Sequence, residues 1–410
     1  MNLYSERRKR LLEKTEGNCM VLLFSGKAPL RSADENYPFC VDRSFYYLTG
    51  LDAEEMVLVL SRIKGKYDEN IFILPYDEYL AKWVGGRMLA EEVTKISGIK
   101  KVNDADELDD HVSSMLERNN DLKVYIDLQQ HSLELCDTVA GRYANELKVN
   151  RPDTVIADLF PLLSEMRLVK DESEIECLKK AIHITNLGLQ EMMRNIKPGM
   201  NEMAMEGLFD YVLRQNVCRI NSFPTIAASG KRATILHYED NDQIMEDGEL
   251  FLCDLGATYG FYCADISRTF PANGRFTERQ REIYELVLEA QRIVKENARP
   301  GVTTKQLNGM VMDFYRKELP KHGLKKDVSE YYYHSCSHHL GLDTHDIDEG
   351  KGKPLEVGNV ITDEPGLYIE DEGIGIRIED DLLITEDGAT VLSEEIIKDP
   401  DEIEEFMKGQ

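Results

Sequence analysis

Strand-like and helix-like periods alternate along the first part of this 410-residue chain. Short apolar runs bounded by turn residues, Met20 to Phe24, Met56 to Leu60 and Asn70 to Leu74, predict strands, and Glu107 to Glu117 has the spacing of an amphipathic helix. Together they predict an α/β domain. Periodicity lapses over Arg151 to Pro161, which holds two prolines, and a long helical pattern begins near Glu172. The predicted boundary is therefore at about residue 160, with one domain over 1–160 and another over 161–410.

The second domain carries an internal repeat. A helix with apolar positions Ile175, Leu178, Ile182, Leu189 and Met193 runs into Lys197-Pro198-Gly199-Met200-Asn201, and a second helix follows over Glu202 to Arg214. About one hundred residues later the pattern returns: Ile283, Val287, Ala290 and Val294, then Arg299-Pro300-Gly301-Val302-Thr303, then a helix to Glu318. Asn201 and Thr303 are N-cap residues by type, and Gln306 completes a capping box with Thr303. Strand-like text follows each pair, at Arg219 to Phe270 and Tyr331 to Leu392. Two α-α-β halves of this kind predict a pseudo-symmetric domain with a cleft between two antiparallel sheets.

Composition narrows the function. A chain with 42% hydrophobic and 30% charged residues is globular, and no apolar run approaches the roughly 18 residues that span a bilayer. Met1 to Lys14 is too charged for a secretion signal, so a cytoplasmic location is expected. The formal net charge of −27 argues against a nucleic-acid partner, which needs a basic face. Eight dispersed cysteines in such a chain read as reduced thiols, and Cys253 and Cys263 as apolar strand residues with no chemical role. Ser25-Gly26-Lys27 is too short for a phosphate loop, and Gly373-Ile374-Gly375 reads as a strand turn.

The candidate chemistry lies in the second domain. A two-residue turn at Tyr259-Gly260 would set Asp254 opposite Asp265, with Cβ atoms about 5 Å apart. Like charges in that position destabilise a sheet unless a cation offsets them. A hairpin centred on Asp371-Glu372 likewise brings Glu364 to Glu379. Four converging carboxylates match two divalent ions, and oxygen-rich donors with one imidazole suit Mn²⁺ or another hard to borderline ion. Two such ions, about 3.5 Å apart, would share and acidify a water. Four of the nine histidines fall between His334 and His345. On a strand, His338 could ligate and His334 line the pocket from the same face, while His339 points away. His345 would come from a following turn.

These residues resemble the pita-bread metallopeptidases of the aminopeptidase P and prolidase group, over essentially the whole second domain. The matching text is Asp254-Leu-Gly-Ala through Asp265-Ile-Ser-Arg-Thr-Phe-Pro-Ala-Asn-Gly274, Ser337-His338-His339-Leu-Gly-Leu-Asp-Thr-His345-Asp346, Glu364-Pro-Gly-Leu-Tyr-Ile369 and Gly373-Ile-Gly-Ile-Arg377-Ile-Glu379-Asp380. The resemblance implies an α+β pita-bread catalytic domain holding two Mn²⁺ on Asp254, Asp265, His338, Glu364 and Glu379. It also implies an Xaa-Pro aminopeptidase in which a hydroxide bridging the ions attacks the carbonyl before proline. Glu364 would move the proton, His237 and His345 would hold the carbonyl, and His334 and Arg377 would line the proline side.

Tyr4-Ser-Glu-Arg7-Arg8, Phe39 to Leu51 and Lys82-Trp83-Val-Gly85 resemble the group's N-terminal domain, which implies a homodimer or homotetramer. Trp83 fits either a core position or the substrate entrance. Two departures, the short segment Asp346 to Pro354 and Asp363 in place of an apolar residue, bear on substrate length. A dipeptidase (prolidase) is the alternative; a non-catalytic binding module is disfavoured because every ligand position is filled.

Overall fold

A computed structural model describes residues 2–129, 138–348 and 352–408, which form two compact units, Met1–Met166 and Arg167–Gln410. In the first unit the three apolar runs form β1 (Cys19–Phe24), β2 (Val57–Ile63) and β3 (Lys66–Ile73). With β4 (Lys101–Asp104), β5 (Lys123–Ile126) and β6 (Val155–Asp158) they make a six-stranded sheet in the order β4-β3-β2-β1-β5-β6. Strand β1 pairs antiparallel with β2 and parallel with β5, and all six of its residues are buried, which is why it reads as an unbroken apolar run. Met20, Leu22, Val59, Phe72, Val124 and Ile126 meet Val112 of α3 (Leu108–Arg118) and Leu147 of α4 (Val139–Asn150). Helix α1 (Leu3–Lys14) opens the unit, and Arg8 reaches from it to the carbonyls of Leu48 and Ser97. Trp83 sits on α2 (Glu78–Val84), which buries none of its residues. At 72% exposure, Trp83 is not a core residue.

The repeat of the second unit is structural. Helix α5 (Glu172–Asn195) starts at Asp171, whose carboxylate accepts from the amides of Ser173 and Glu174; after the link, Asn201 caps α6 (Glu202–Gln215). The second pair is α7 (Glu278–Asn297), which buries Ile283, Val287, Ala290 and Val294, and α8 (Thr304–Glu318). Thr303 and Gln306 close the predicted capping box, a cap that contributes about 1 kcal/mol. Gly199 and Gly301 both stand at φ +88°, a left-handed conformation that glycine adopts without strain and that turns each link.

Each helix pair leads into an antiparallel sheet. The first contains β7 (Ile226–Ser229), β8 (Leu250–Leu255) and β9 (Ile266–Pro271) in the order β9-β8-β7. The second contains β10 (Val360–Asp363), β13 (Asp380–Thr385) and β14 (Gly388–Val391) in the order β10-β13-β14, with the ribbon β11 (Gly366–Ile369) and β12 (Ile374–Arg377) between β10 and β13 in sequence. The halves are tied where the Glu379 amide donates to the Ser267 carbonyl at 3.0 Å and Thr269 Oγ1 donates to the Arg377 carbonyl at 3.1 Å. One apolar core runs beneath both, from Leu189 and Phe209 to Leu367, Ile376 and Leu382.

The acidic C-terminal segment ends in α9 (Pro400–Met407), anchored by buried Ile403 and Met407, with 409–410 outside the described residues. The departure at Asp346 to Pro354 also falls partly outside them, at 349–351. Among the described residues no helix is long and apolar enough to cross a membrane.

Candidate metal centre

The first hairpin supplies two aspartates, with a register that differs from the sequence expectation. The central turn residues are Gly260 and Phe261, both left-handed at φ +55° and +64°, and Tyr259 pairs with Tyr262. Asp254 therefore faces Ser267, and Asp265 lies two residues past the directly opposite position. A single glycine allowed either turn placement, and sequence alone favoured Tyr259-Gly260; the folded hairpin puts Phe261 in the unusual conformation instead. Gly256 accommodates the close crossing, since a Cβ there would meet the Ala264 carbonyl oxygen at 1.8 Å. Because side chains alternate, Asp254, Asp265 and Ser267 still share one face.

The second hairpin follows its predicted register. Gly366 pairs with Arg377 and Ile369 with Ile374, a register that sets Glu364 opposite Glu379 just beyond the ladder. Gly373, at φ +63°, closes the loop. Alternation also explains residues that were not singled out. Tyr368 and Gly366 lie on the Glu364 side of β11, as Arg377, already a candidate, lies on the Glu379 side of β12. Counting in twos from the four carboxylates would have selected Tyr368 and Ser267.

The histidines arrive differently. Residues 331–345 form no strand; a single bridge joins His339 to Ile361, and the His338 amide donates to Thr362 Oγ1. The expected alternation of His334 and His338 along a strand is thus replaced by an irregular segment held against β10. The outcome for the side chains survives: His334 and His338 enter the same cavity, whereas His339 is not among its lining residues. Nδ1 of His338 donates to the His339 carbonyl, which turns Nε2 toward Asp265 at 3.3 Å and Glu364 at 3.5 Å. The rings of His338 and His345 meet edge-on, with centroids 4.4 Å apart.

All nine predicted site residues line one cavity of about 540 Å³: Asp254, Asp265, His338, Glu364, Glu379, His237, His345, His334 and Arg377. Ser222, Phe223, Pro224, Ile226 and Leu236 contribute much of the remaining wall. Arg377 is buried, and its Nε, Nη1 and Nη2 donate to Ser267 Oγ, Tyr368 Oη and Asp254 Oδ2. The Tyr368 hydroxyl passes this polarity to His334 Nε2 at 2.8 Å, while His334 Nδ1 donates to the Ser335 carbonyl. Burial and the neighbouring Arg377 push His334 down to about 3, so its imidazole is neutral.

Burial, then mutual repulsion with Asp254, Asp381 and Glu364, pushes the Asp265 carboxyl well above its ordinary range; Glu379 is raised by burial, Asp265, Asp254 and Glu364. Glu364 is raised as well, again chiefly by burial. Asp254 Oδ1 is buried without a hydrogen-bond partner. One guanidinium does not offset four carboxylates. The donor set fits a divalent ion: ligand atoms of Asp265, His338 and Glu379 lie within 4.8 Å of one another, with Asp254 and Glu364 in the same cavity. Cys253 takes no part; burial, then Asp254, pushes its thiol up to about 12. Asp363, noted as a departure, is buried facing Asp380 across the β10–β13 ladder, and its carboxyl is pushed up by burial and that neighbour.

A carboxylate- and imidazole-lined cavity between the strands of two α-α-β halves defines a metal-dependent hydrolase. The model of metallopeptidase family M24 matches residues 176–386, and that of the aminopeptidase P N-terminal domain matches residues 4–125. The chain belongs to metallopeptidase family M24, with an α/β aminopeptidase P N-terminal domain ahead of an α+β pita-bread catalytic domain. It is 36% identical to the Xaa-Pro aminopeptidase of Haemophilus influenzae, across 98% of this chain and 96% of that one. The Escherichia coli Xaa-Pro aminopeptidase is 34% identical, across 98% and 97%. A Bacillus anthracis protein provisionally described as an aminopeptidase P superposes with a TM-score of 0.97 at 41% identity, over 99% of this chain and 98% of that one. Escherichia coli aminopeptidase P with the inhibitor Pro-Leu gives 0.90 at 34% identity, over 99% and 98%.

Proposed function

We propose that this chain is a metal-dependent Xaa-Pro aminopeptidase, hydrolysing the bond between an N-terminal residue and a following proline. The observation that carries the reading is the convergence of five candidate metal-ligating residues, three further imidazoles and a buried arginine on one cavity. Relatives named Xaa-Pro aminopeptidase that align over almost the whole chain favour this reading over a dipeptidase.

Asp254, Asp265, His338, Glu364 and Glu379 would hold two divalent ions, Mn²⁺ by donor type, although one solved relative carries zinc. When bound, such ions acidify a water and stabilise negative charge on a carbonyl oxygen. Glu364 takes the proton of the attacking water and returns it to the proline nitrogen as the bond breaks. His237 and His345 offer N–H groups to the substrate carbonyl as charge develops on it. Phe223, Pro224, Ile226 and Leu236 give the cavity an apolar wall suited to a pyrrolidine ring. Proline has no N–H to donate, so recognition falls to the shape of such a wall and to polar groups beside it. His334 and Arg377 would supply those polar groups. Three of the five N–H donors of Arg377 are engaged within the protein, which leaves two for a peptide carboxylate.

In this reading residues 1–160 are the aminopeptidase P-like leader and 161–410 the catalytic domain. The enzyme is cytoplasmic and works as a homodimer or homotetramer on peptides. Metal-stripped protein, with and without added Mn²⁺, tests the reading on Xaa-Pro dipeptides and longer Xaa-Pro peptides followed by mass spectrometry. Metal-dependent release of one residue from the longer peptides is expected. Cleavage confined to dipeptides would make the enzyme a prolidase, and no cleavage of either would leave a binding module.

A further inference from the structure

His237 presents a structural problem. It lies in the irregular segment that follows the 3₁₀ turn Gly230–Thr234, is exposed, and borders the cavity. No helix or strand holds residues 235–243. A group that must meet a developing oxyanion cannot wander, because a misplacement of about 1 Å costs roughly 100-fold in rate.

The next residue is the anchor. Tyr238 is 7% exposed and packs with Ile226, Ala228, Ala233, Leu252 and Tyr368. Its hydroxyl donates to Glu202 Oε2 at 2.9 Å. Glu202, at the first position of α6, is completely buried, and four donors converge on its carboxylate. Oε1 accepts from the Ser229 amide at 2.7 Å and the Ser229 hydroxyl at 2.6 Å; Oε2 accepts from Tyr238 and from the Gln243 amide at 3.0 Å. The Glu202 amide in turn donates to the Gln243 carbonyl at 2.9 Å. Both oxygens of this carboxylate, at a helix N-terminus, are thus satisfied by hydrogen bonds without a cation. It joins three things that sequence keeps apart: the start of α6, the end of β7, and the stretch from Tyr238 to Gln243 that follows His237. Asn241, left-handed at φ +47°, adds a second clip, its Oδ1 accepting from the Ala227 amide and its Nδ2 donating to the Thr225 carbonyl.

We infer that Glu202 and Tyr238 are positioning residues for peptide-bond hydrolysis, fixing His237 at the rim of the metal cavity through its neighbour in the chain. This rests on the carbonyl-holding role proposed above for His237. Neither residue lines the cavity. Their effect on rate should therefore vanish when the imidazole they position is gone, which a general contribution to stability would not do.

The test is a cycle of Tyr238→Phe, His237→Ala and the double variant, assayed with Mn²⁺ on a long Xaa-Pro peptide. Metal content and thermal midpoint are measured in parallel. Tyr238→Phe keeps the packed ring and leaves Glu202 its Ser229 and Gln243 donors, so it folds even if the harsher Glu202→Gln does not. We expect Tyr238→Phe to lower kcat by roughly 10-fold with KM nearly unchanged, and by less than about 2-fold in the His237→Ala background. Equal losses in both backgrounds would overturn the inference while leaving His237 its role. Unimpaired turnover by His237→Ala would overturn both, since there would be no role to position.

Discussion

Asp346→Asn is expected to destabilise the catalytic unit by about 3–5 kcal/mol, the range for removing one partner of a buried ion pair. Asp346 directly follows His345 and is buried, as are the cations it faces. Its Oδ1 meets Arg167 Nη2 at 2.6 Å and its Oδ2 meets Lys170 Nζ at 2.9 Å, with those side chains 3% and 1% exposed. Arg167 also reaches Asp343, but that carboxylate is 39% exposed and contributes less. Asparagine retains the shape while removing the buried anion that these two desolvated cations share. Against a total stability of about 5–15 kcal/mol, the loss is a large fraction. Urea unfolding of the metal-free protein, followed by near- and far-ultraviolet circular dichroism, measures it and shows whether the transition is two-state.

The pH dependence gives an independent signature. Burial opposes ionisation of Asp346, yet Lys170 and Arg167 outweigh it and hold the carboxyl below its ordinary value. A lowered folded value means the stabilisation is fully present above the unfolded value of about 3.9 and is lost as pH falls through the folded one. The difference between wild type and Asp346→Asn should therefore be flat from neutrality to about pH 5 and shrink below about pH 4. A difference under about 1 kcal/mol at neutral pH, or one that grows on acidification, would refute the reasoning.

Glu364→Gln should leave a folded protein with turnover nearly abolished; near-normal hydrolysis would remove Glu364 from its proton-transfer role. Tyr368→Phe takes the acceptor from Arg377 Nη1 and the donor from His334 Nε2, so a cost of about 1–3 kcal/mol is expected, together with weaker binding of product peptides that begin with proline. Calorimetric binding equal to wild type would count against a proline-side role for this pair. Gly256→Ala places a Cβ 1.8 Å from a backbone oxygen that no side-chain rotation can move, so this variant should cost more than the roughly 3 kcal/mol of ordinary overpacking. A thermal midpoint within a degree or two of wild type would show that the hairpin can open at that crossing.

What the chain specified by itself was whatever depends on neighbours within a few residues. Helices α5 to α8 follow from 3.6-residue spacing and from the caps Asp171, Asn201 and Thr303, and the paired Pro-Gly links gave away the repeat because a left-handed glycine is required at each. In the second hairpin a centre at Asp371-Glu372, beside Gly373, is expected to set Glu364 opposite Glu379, and the folded register agrees. The cavity membership of all nine residues was readable through the resemblance those motifs carry.

Tertiary structure decided what local rules leave degenerate. Around Gly260 two turn placements are allowed, and only close packing of Gly256 against Ala264 accompanies the one that sets Asp254 against Ser267. His334 and His338 share a cavity without sharing a strand, because hydrogen bonds from β10 hold their irregular segment in place. Arg377 reaches Ser267 and Asp254 only after the two halves assemble, and Glu202 reaches Tyr238 only once α6 packs on β7. Periodicity assigns a residue to a face; the charge and hydrogen bonds it meets there depend on segments more than one hundred residues away, as Arg377 and Asp254 do.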